Sequence, residues 1–422
     1  MTQRALIHRG GTEMVTIEVA KELAERGHEM AVYSPRVGEI SQIVLSSGVS
    51  VHTQLADVPW APDIIHGHHH LQTMAALARF QEARTVYCCH GFLPWVEHPP
   101  AHRRIARYVM MCEWLAARVK TEFGIPESKV AVVPNFVNLK RFSRVRTPPE
   151  RPVRAVLFGG ATLLPAEMEK LESACKNCGL SLDRVGYSHG NPNDRPEVFL
   201  QDYDVAFAIG KCALEAMACG CAVIPLLPGQ AGRLITTETL DEYAFSNFSP
   251  RYFTSADQID EAWLRTQTNL YHRDDVTQVT ATVRGRYSLP SAVDRLVDCY
   301  ERVMREPLPD APSGPDGELA AYLEKMGGEM DVIWGELEVA RGRLKKTTAD
   351  SKRFRQELGD AQKRAGRYVS LKLRHDLTLQ TLRDNIAGRW VLKRISRMLR
   401  HLPPPEEKNH SLASSEGGAH ED

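Results

Sequence analysis

Lys211 and Glu215 stand four residues apart in the most informative stretch of this 422-residue chain. Two apolar, strand-like runs, residues 205–209 and 222–224, flank a short helical segment at residues 213–219. Glu215 falls in this segment, and Lys211 lies just before it. Strand, glycine turn, helix and strand make the βαβ unit of a nucleotide-binding sheet, and the free N–H groups at such a helix start attract an anion. The segment therefore predicts a site in which Lys211 neutralises a phosphate and Glu215 accepts hydrogen bonds from two ribose hydroxyls. The alternative is a buried structural unit in which Glu215 caps its own helix.

His90 follows an apolar run and precedes Gly91, at a strand end of the kind where ligands bind in open α/β folds. A second group of histidines lies at another strand end: His66, His68, His69 and His70. Adjacent histidines in a loop rarely converge on one ion, so we expect this group to support the site or contact an acceptor rather than bind a metal. Gly10 and Gly11 lie between the first predicted strand and the first helix. Without side chains they let the backbone approach a ligand, although a tight turn alone would also explain them.

Five segments resemble motifs of the retaining glycosyltransferases of family 4, and they occur in the family's order. The clearest is LEAMACGCAVI at residues 214–224, which is similar to the family's E-A-M-A-x-G-x-P-V-I. The others are the glycine loop, helix and strand of residues 10–35, PDIIHGHH of residues 62–69, VYCCHGF of residues 86–92, and GIPESKVAVVPNFVNLKRF of residues 124–142. The final hundred or so residues are not covered by the resemblance.

The resemblance implies a GT-B fold and the transfer of a hexose, with retention of configuration, from a nucleotide sugar to a glycan or lipid-linked acceptor. It implies that no metal or other cofactor is needed, since helix N-termini and cations meet the diphosphate charge. The catalytic residues would be His90, which would contact the transferred sugar, and Glu215, which would hold the ribose. The implied donor-binding residues are Gly10, Gly11, Lys211, Asn135, Gly159 and Glu215. His66 and His68 would contact the acceptor or support the site.

Three departures from the family pattern bear on activity. Phe207 stands where the family has another glutamate, with seven residues between it and Glu215. Residues 155–162 lack the arginine and lysine that commonly meet the diphosphate, and Phe136 replaces the usual glycine after Asn135. These changes keep open a non-catalytic GT-B scaffold that acts through its C-terminal region. A GT-B epimerase or phosphorylase is a third hypothesis, but the first needs extra acid–base residues that we cannot place and the second is usually larger.

The composition favours a protein of a reducing compartment. Lysine and arginine total 53, as do aspartate and glutamate, so no overall charge points to nucleic acid. No apolar stretch is long enough to span a bilayer, and no signal-peptide core is expected. The nine cysteines are scattered, and the single C-x-x-C at residues 175–178 has no second pair at zinc spacing. We therefore expect a cytoplasmic protein, or one peripheral on the inner face of the plasma membrane.

The alternation of short apolar runs and helical segments predicts two α/β domains, each with a parallel sheet covered on both faces. We place an N-terminal, acceptor-side domain at residues 1–145 and a donor domain at residues 153–306, with a charged, proline-rich linker between them. The first strand is expected at residues 5–8. A second linker covers residues 307–317.

Residues 318–402 have a different character. Apolar residues recur at alternating spacings of four and three, which predicts a coiled coil and through it a homodimer, and the repeat begins with Leu319, Leu323, Met326, Met330 and Ile333. The alternative is a long helix folded back on the body of the protein. Residues 382–402 predict a basic amphipathic helix that an anionic membrane attracts, or one that packs on protein. Residues 403–422 are polar and expected to be disordered.

Overall fold

The computed structural model describes residues 1–91, 94–159, 163–250, 259–309 and 316–346, together with residues 360 and 363. Residues Met1–Glu329 belong to one compact unit, which contains both α/β sheets, and a second unit begins at Met330. No helix within the described ranges is both long enough and apolar enough to cross a membrane.

The first sheet has four parallel strands in the order β3-β4-β5-β6, and beside it β1 pairs in parallel with β2. The strands are β1 (Ala31–Tyr33), β2 (Ser50–His52), β3 (Ile64–Gly67), β4 (Arg84–Cys89), β5 (Ile105–Met110) and β6 (Val130–Val132). The helices that accompany them are α1 (Gly11–Glu25), α2 (Ser41–Leu45), α3 (His70–Arg79) and α4 (Glu113–Phe123). Strands β3, β4 and β5 are mostly buried, with side chains in two separate cores, as a parallel sheet between helices requires.

The first extended residues of the chain join β1 to β3. Thr2 forms parallel bridges to both Tyr33 and Gly67, whereas Leu6 bridges only Val37. The prediction of a strand at residues 5–8 is therefore wrong in position. The chain must already turn towards α1 there, and the Gly10 N–H donates to the His8 carbonyl at 2.8 Å.

The second sheet is also parallel, in the order β10-β9-β7-β8. Its strands are β7 (Arg154–Phe158), β8 (Ser181–Val185), β9 (Val205–Phe207) and β10 (Ala222–Ile224), and a short antiparallel pair follows, β11 (Leu226–Leu227) and β12 (Gln230–Ala231). The helices are α5 (Pro165–Asn177), α6 (Pro196–Phe199), α7 (Gly210–Cys219), α8 (Leu240–Phe245), α9 (Glu261–Asn269) and α10 (Arg273–Arg286). Strand β9 lies inside the sheet and is buried along its whole length.

Helix α11 (Leu289–Arg305) follows the second sheet in the chain but packs on the first domain. Its apolar stripe, which includes Val293 and Leu296, joins the core formed by Val15 and Val19 of α1 and by strands β4 and β5. Each such side chain contributes roughly 1.5–3 kcal/mol when fully buried. The helix therefore ties the end of the second α/β domain to the first.

Helix α12 (Gly317–Lys346) begins on the first domain. Leu319 and Tyr322 pack against the first-domain core, and the Trp95 Nε1–H donates to Glu329 Oε2 at 2.6 Å. For these turns the structure follows the fold-back alternative, and Leu323, a predicted coiled-coil position, is 59% exposed. Apart from residues 360 and 363, the predicted coiled coil beyond residue 346, the basic helix and the tail lie outside the described residues.

Candidate active site

The predicted βαβ unit is present as β9, α7 and β10. Helix α7 begins directly after the carboxyl end of β9, and its C-cap is Gly220 with φ 94°, the left-handed ending that the sequence indicates. Both residues expected to do chemistry are buried in this helix, Lys211 at 8% exposure and Glu215 at 5%. The apolar surroundings mean that their charges must be met by specific partners.

Lys211 is surrounded by acceptors. Its Nζ lies 2.8 Å from Glu18 Oε2 of α1, 2.9 Å from the Phe136 carbonyl oxygen and 3.6 Å from Glu215 Oε1. Arg141 adds a second cation, 3.9 Å from the other oxygen of Glu18. One ammonium group thus connects α1 of the first domain with α7 of the second.

Burial and neighbouring charge act in opposite directions on this group. Burial raises the pKa of Glu215 to about 7, although Lys211 works to lower it. Burial also opposes the charge of Lys211, but Glu18 and Glu215 outweigh that effect and raise the lysine's pKa. Near neutral pH the site therefore holds a firmly protonated lysine beside a carboxyl group that changes its charge readily.

Three of the predicted histidines form a chain of rings at the carboxyl ends of β3 and β4. His68 and His90 are hydrogen-bonded to each other, the His66 and His68 ring centres lie 4.5 Å apart, and His66 is hydrogen-bonded to Tyr300 of α11. Burial holds the pKa of His66 and His68 well below the usual range and lowers that of His90 to about 3. The rings are therefore neutral, and the structure shows no hydrogen-bond partner for the buried His90 Nδ1 among the residues that it describes.

The main chain at His90 is also fixed. The N–H groups of His90 and Gly91 both donate to Glu97 Oε2, at 3.1 and 2.7 Å. Glu97 is 1% exposed, so this carboxylate orients the turn from the inside. No sequence motif indicates this contact, because the carboxylate and the turn meet only in the folded loop.

Of the three predicted glycines, only Gly159 serves a close contact. A Cβ at Gly10 would meet only the movable end of the Glu13 side chain, and Gly11, the first residue of α1, has open space. Gly159 has φ 97°, and a Cβ there would lie 2.6 Å from the Cys212 sulfur on α7. Gly159 therefore permits β7 to end against the start of α7, beside the predicted diphosphate position.

Asn135 lies at the contact between the two domains. Its Nδ2–H donates to Asn247 Oδ1 at 3.0 Å, and the Asn247 carbonyl accepts from the Gly210 N–H at 3.1 Å. Asn247 has φ 54°, an uncommon conformation that this pair of bonds helps to hold. Asn135 thus reaches the first residue of α7 through one intermediary.

Phe207 is fully buried in the apolar core of the second domain. Its Cα pairs with Leu157 and Ile224 on the two neighbouring strands. A core side chain thus occupies the position at which the family places another carboxylate.

The carboxylate nearest to Lys211 is that of Glu18, which no sequence motif indicates. Glu18 lies on the buried face of α1, between Val15 and Val19 at helical spacing. A carboxylate on an otherwise apolar face is costly unless it is paired. That position was the one signal in the sequence that Glu18 needs a cation.

Two cavities of different character accompany these residues. One of about 300 Å³ is lined by Asn135, Asn247 and Arg295, among others. The other, of about 570 Å³, is mainly apolar and lies at the amino ends of β1 and β3. The larger cavity reaches His66 and Tyr300, but neither His90 nor Lys211 lines it, so we do not assign the transfer site to it.

One cluster in the described part of the chain has the composition of a metal site: His102, Asp316 and Glu318. The His102 Nδ1 accepts from the Arg104 N–H at 3.2 Å, so its Nε2 carries the proton that it donates to Asp316 Oδ2 at 3.1 Å. Arg103 meets both carboxylates. These contacts hold the start of α12 on the first domain.

Residues 51–141 match the family model described as Glycosyltransferase Family 4. The fold is similar to that of a glycosyltransferase from Rickettsia africae ESF-5, with a TM-score of 0.52, 13% identity, and coverage of 72% of this chain and 99% of that chain. It is also similar to WaaG, a glycosyltransferase involved in lipopolysaccharide biosynthesis (TM-score 0.46, 12% identity, 71% and 98% coverage). No curated protein sequence matches the chain.

The two parallel sheets and the similarity to the Rickettsia africae structure confirm the GT-B fold predicted from the sequence. Over residues 51–141 the sequence is similar to that of Glycosyltransferase Family 4.

Replacing Glu18 with alanine should lower the free energy of unfolding by about 3 kcal/mol, because it leaves the buried ammonium of Lys211 with a weaker set of partners. Denaturant titration followed by circular dichroism would measure the change. Glu25→Ala is the matched control on the same helix, since its partner Lys140 is 71% exposed. Equal stability of both variants would contradict the assigned role of Glu18.

Proposed function

We propose that this protein is a retaining hexosyltransferase that uses a nucleotide-sugar donor and a glycan or lipid-linked acceptor, in the synthesis of a surface polysaccharide or glycoconjugate. The observation that carries the proposal is the position of Lys211 and Glu215, buried together at the start of a helix at the carboxyl edge of a parallel sheet. Cations and helix N–H groups at this edge suit a diphosphate, and a carboxylate suits ribose hydroxyls.

Donor binding would exchange one partner of Lys211 for another. In the structure the ammonium group is paired with Glu18, 2.8 Å away. A diphosphate at the start of α7 would take the place of this carboxylate. The displaced Glu18 carboxylate would keep Arg141 as its partner, since Arg141 already lies near Glu18 and contacts Glu197. Glu215, once ionised, would be free to accept from the ribose.

His90 would contact the transferred sugar as a neutral ring. Because burial lowers its pKa to about 3, it offers hydrogen bonds without charge. A sugar hydroxyl would supply the partner that His90 Nδ1 lacks among the described residues. His68, bonded to the other ring nitrogen, would fix the tautomer and the orientation of His90.

Retention would proceed by attack of the acceptor on the same face from which the nucleoside diphosphate leaves. Phe207 offers no nucleophile, and Glu215 has the ribose as its proposed partner. The acceptor hydroxyl would pass its proton to the departing phosphate oxygen while the new glycosidic bond forms. The helix start and Lys211 would stabilise the leaving charge without a metal.

A non-catalytic scaffold is the second candidate, favoured by the core position of Phe207 and by the engagement of Lys211 with Glu18. Incubation with UDP-, GDP-, ADP- and dTDP-sugars in EDTA distinguishes the transferase from the scaffold. We expect hydrolysis or transfer of at least one donor, unchanged by the chelator. No turnover, with or without added Mg²⁺ or Mn²⁺, would favour the scaffold, and turnover only with added metal would refute the metal-free mechanism.

Glu215→Gln should weaken donor binding about tenfold or more, because it replaces a charge-assisted acceptor worth roughly 1.5–3 kcal/mol. In the unchanged protein, affinity should rise as the pH increases through about 7, since that is where Glu215 loses its proton. Calorimetric titration between pH 6 and 8 would show both effects. The variant should lack this pH dependence, and a Kd that is the same in both proteins at every pH would remove Glu215 from the site.

We also propose that the chain beyond residue 346 supplies dimerisation through a coiled coil and contact with an anionic membrane through its basic helix. Shortening the chain at Lys346 keeps the turns of α12 that pack on the first domain. The shortened protein should be monomeric by light scattering and should fail to float with phosphatidylserine vesicles, whereas the full chain should dimerise and float. Dimerisation and flotation that persist after shortening would contradict the proposal.

A further inference from the structure

The cavity of about 300 Å³ lies at the same edge of the first sheet as His90. Met110, the last residue of β5, pairs with Cys89 of β4 and with Val132 of β6. Continuing that register places His90 beside Met111, and Met111 lines the cavity. Neighbouring strands are about 4.8 Å apart, so the cavity begins about one strand spacing from the residue proposed to contact the transferred sugar.

Both α/β domains contribute walls to this cavity. The first domain, with α11 packed on it, supplies the carboxyl ends of β5 and β6 and the start of α11. The second domain supplies α8 and the end of α10. The volume is at the lower end of the range for small-molecule sites, about 300–1,000 Å³. An acceptor that attacks a sugar held by the second domain has to lie between these same two parts of the molecule.

The lining of the cavity mixes hydrogen-bond donors with acceptors. Asn135 is 6% exposed, and it lines the cavity together with Asn247 and Ser291. Charged side chains of both signs complete the lining: Glu113, Asp241, Arg286 and Arg295. Arg286 and Asp241 are paired with each other.

This mixed lining is unsuited to two classes of ligand. An anionic group would meet the carboxylates of Glu113 and Asp241 as well as the two guanidinium groups. An alkyl chain would cover Asn135 and Ser291 without offering them hydrogen bonds, which is costly. A hydroxyl group both donates and accepts, so it can pair with an amide, a serine, a guanidinium group or a carboxylate. A sugar, with several hydroxyl groups and no charge, fits this lining best.

The backbone at the cavity has an uncommon conformation. Asn247 and Phe248 both line the cavity, with φ of 54° and 56°, and they are the residues other than glycine that have positive φ in the part of the chain that the structure describes. A bulky residue rarely adopts this conformation, which persists where surrounding contacts enforce it and recurs at ligand sites. The Asn247 carbonyl also accepts from the Gly210 N–H, so this turn connects the cavity with the helix proposed to bind the donor.

We propose that this cavity is the acceptor subsite and that it takes an uncharged sugar unit of a glycan. The inference rests on the proposed function, since it assigns the acceptor of that transfer. Asn135 and Ser291 would bond to the sugar hydroxyls, and the Arg295 guanidinium group would add a charged donor from α11. The acceptor would then be recognised by its sugar rather than by a lipid phosphate.

Binding of the methyl glycosides of glucose, galactose, mannose and N-acetylglucosamine, measured by saturation-transfer NMR and titration without a donor, tests the subsite. We expect at least one glycoside to bind the full chain, and we expect Ser291→Phe, which places a ring in the cavity, to abolish that binding. Arg295→Ala should weaken binding about tenfold, because it removes a charged hydrogen-bond donor. Arg302→Ala is the matched control on the same helix, since Arg302 is exposed and does not line the cavity.

Failure of all four glycosides to bind, or equal binding by Ser291→Phe and the unchanged protein, would overturn the inference. Glucuronate that binds more tightly than methyl glucoside would also overturn it, since the ligand would then be anionic. Binding of a glycoside needs neither donor nor turnover, so it is measured independently of the proposed function. If glycosyl transfer is found and the acceptor KM is the same in Ser291→Phe, the proposed function stands and the subsite is wrong.

Discussion

An ammonium group enclosed in protein needs its countercharges within a few ångströms, and Lys211 obtains them from both domains. Glu18 comes from α1, the Phe136 carbonyl from the segment that leads out of the first domain, and Glu215 from the next turn of α7. A diphosphate bound at α7 would draw on the same positive charge. Ligand binding and contact between the domains are thus expected to compete for one group, so the occupancy of the site and the closeness of α1 and α7 should change together.

The position of α11 adds a second constraint on the same contact. This helix fills the core between α1 and the first sheet, and its Tyr300 meets His66 at the end of the histidine chain. The side chains proposed to contact the sugar are therefore supported by the helix that follows the second sheet in the chain. Changes in α11 would reach His90 through His66 and His68 without altering any residue that touches a ligand.

The features that are set by short-range interactions could be predicted from the sequence. The apolar runs, the ending of α7 at Gly220 and the βαβ order depend on neighbours a few residues apart, and they were predicted correctly. The pairing of Glu18 with Lys211 joins residues 193 positions apart, and no periodicity reports it. The sequence pattern also does not report the hydrogen bond between His68 and His90 or the packed face of α12 that carries Tyr322. Each depends on how helices and strands pack against one another.

Because the buried histidine rings stay neutral, the folded protein binds fewer protons in acid than the unfolded chain does. In the unfolded chain, His66, His68 and His90 would each take up a proton near pH 6.5. In the folded protein burial lowers their pKa values, so the rings bind these protons only at a far lower pH. Stability present above pH 6.5 is therefore lost as the pH falls, by about 1.4 kcal/mol per pH unit for each ring. Glu215 acts in the opposite direction, because its stabilising contribution is lost as the pH rises from its usual pKa to about 7. Over that interval the one carboxyl group offsets part of the stability that the three rings add.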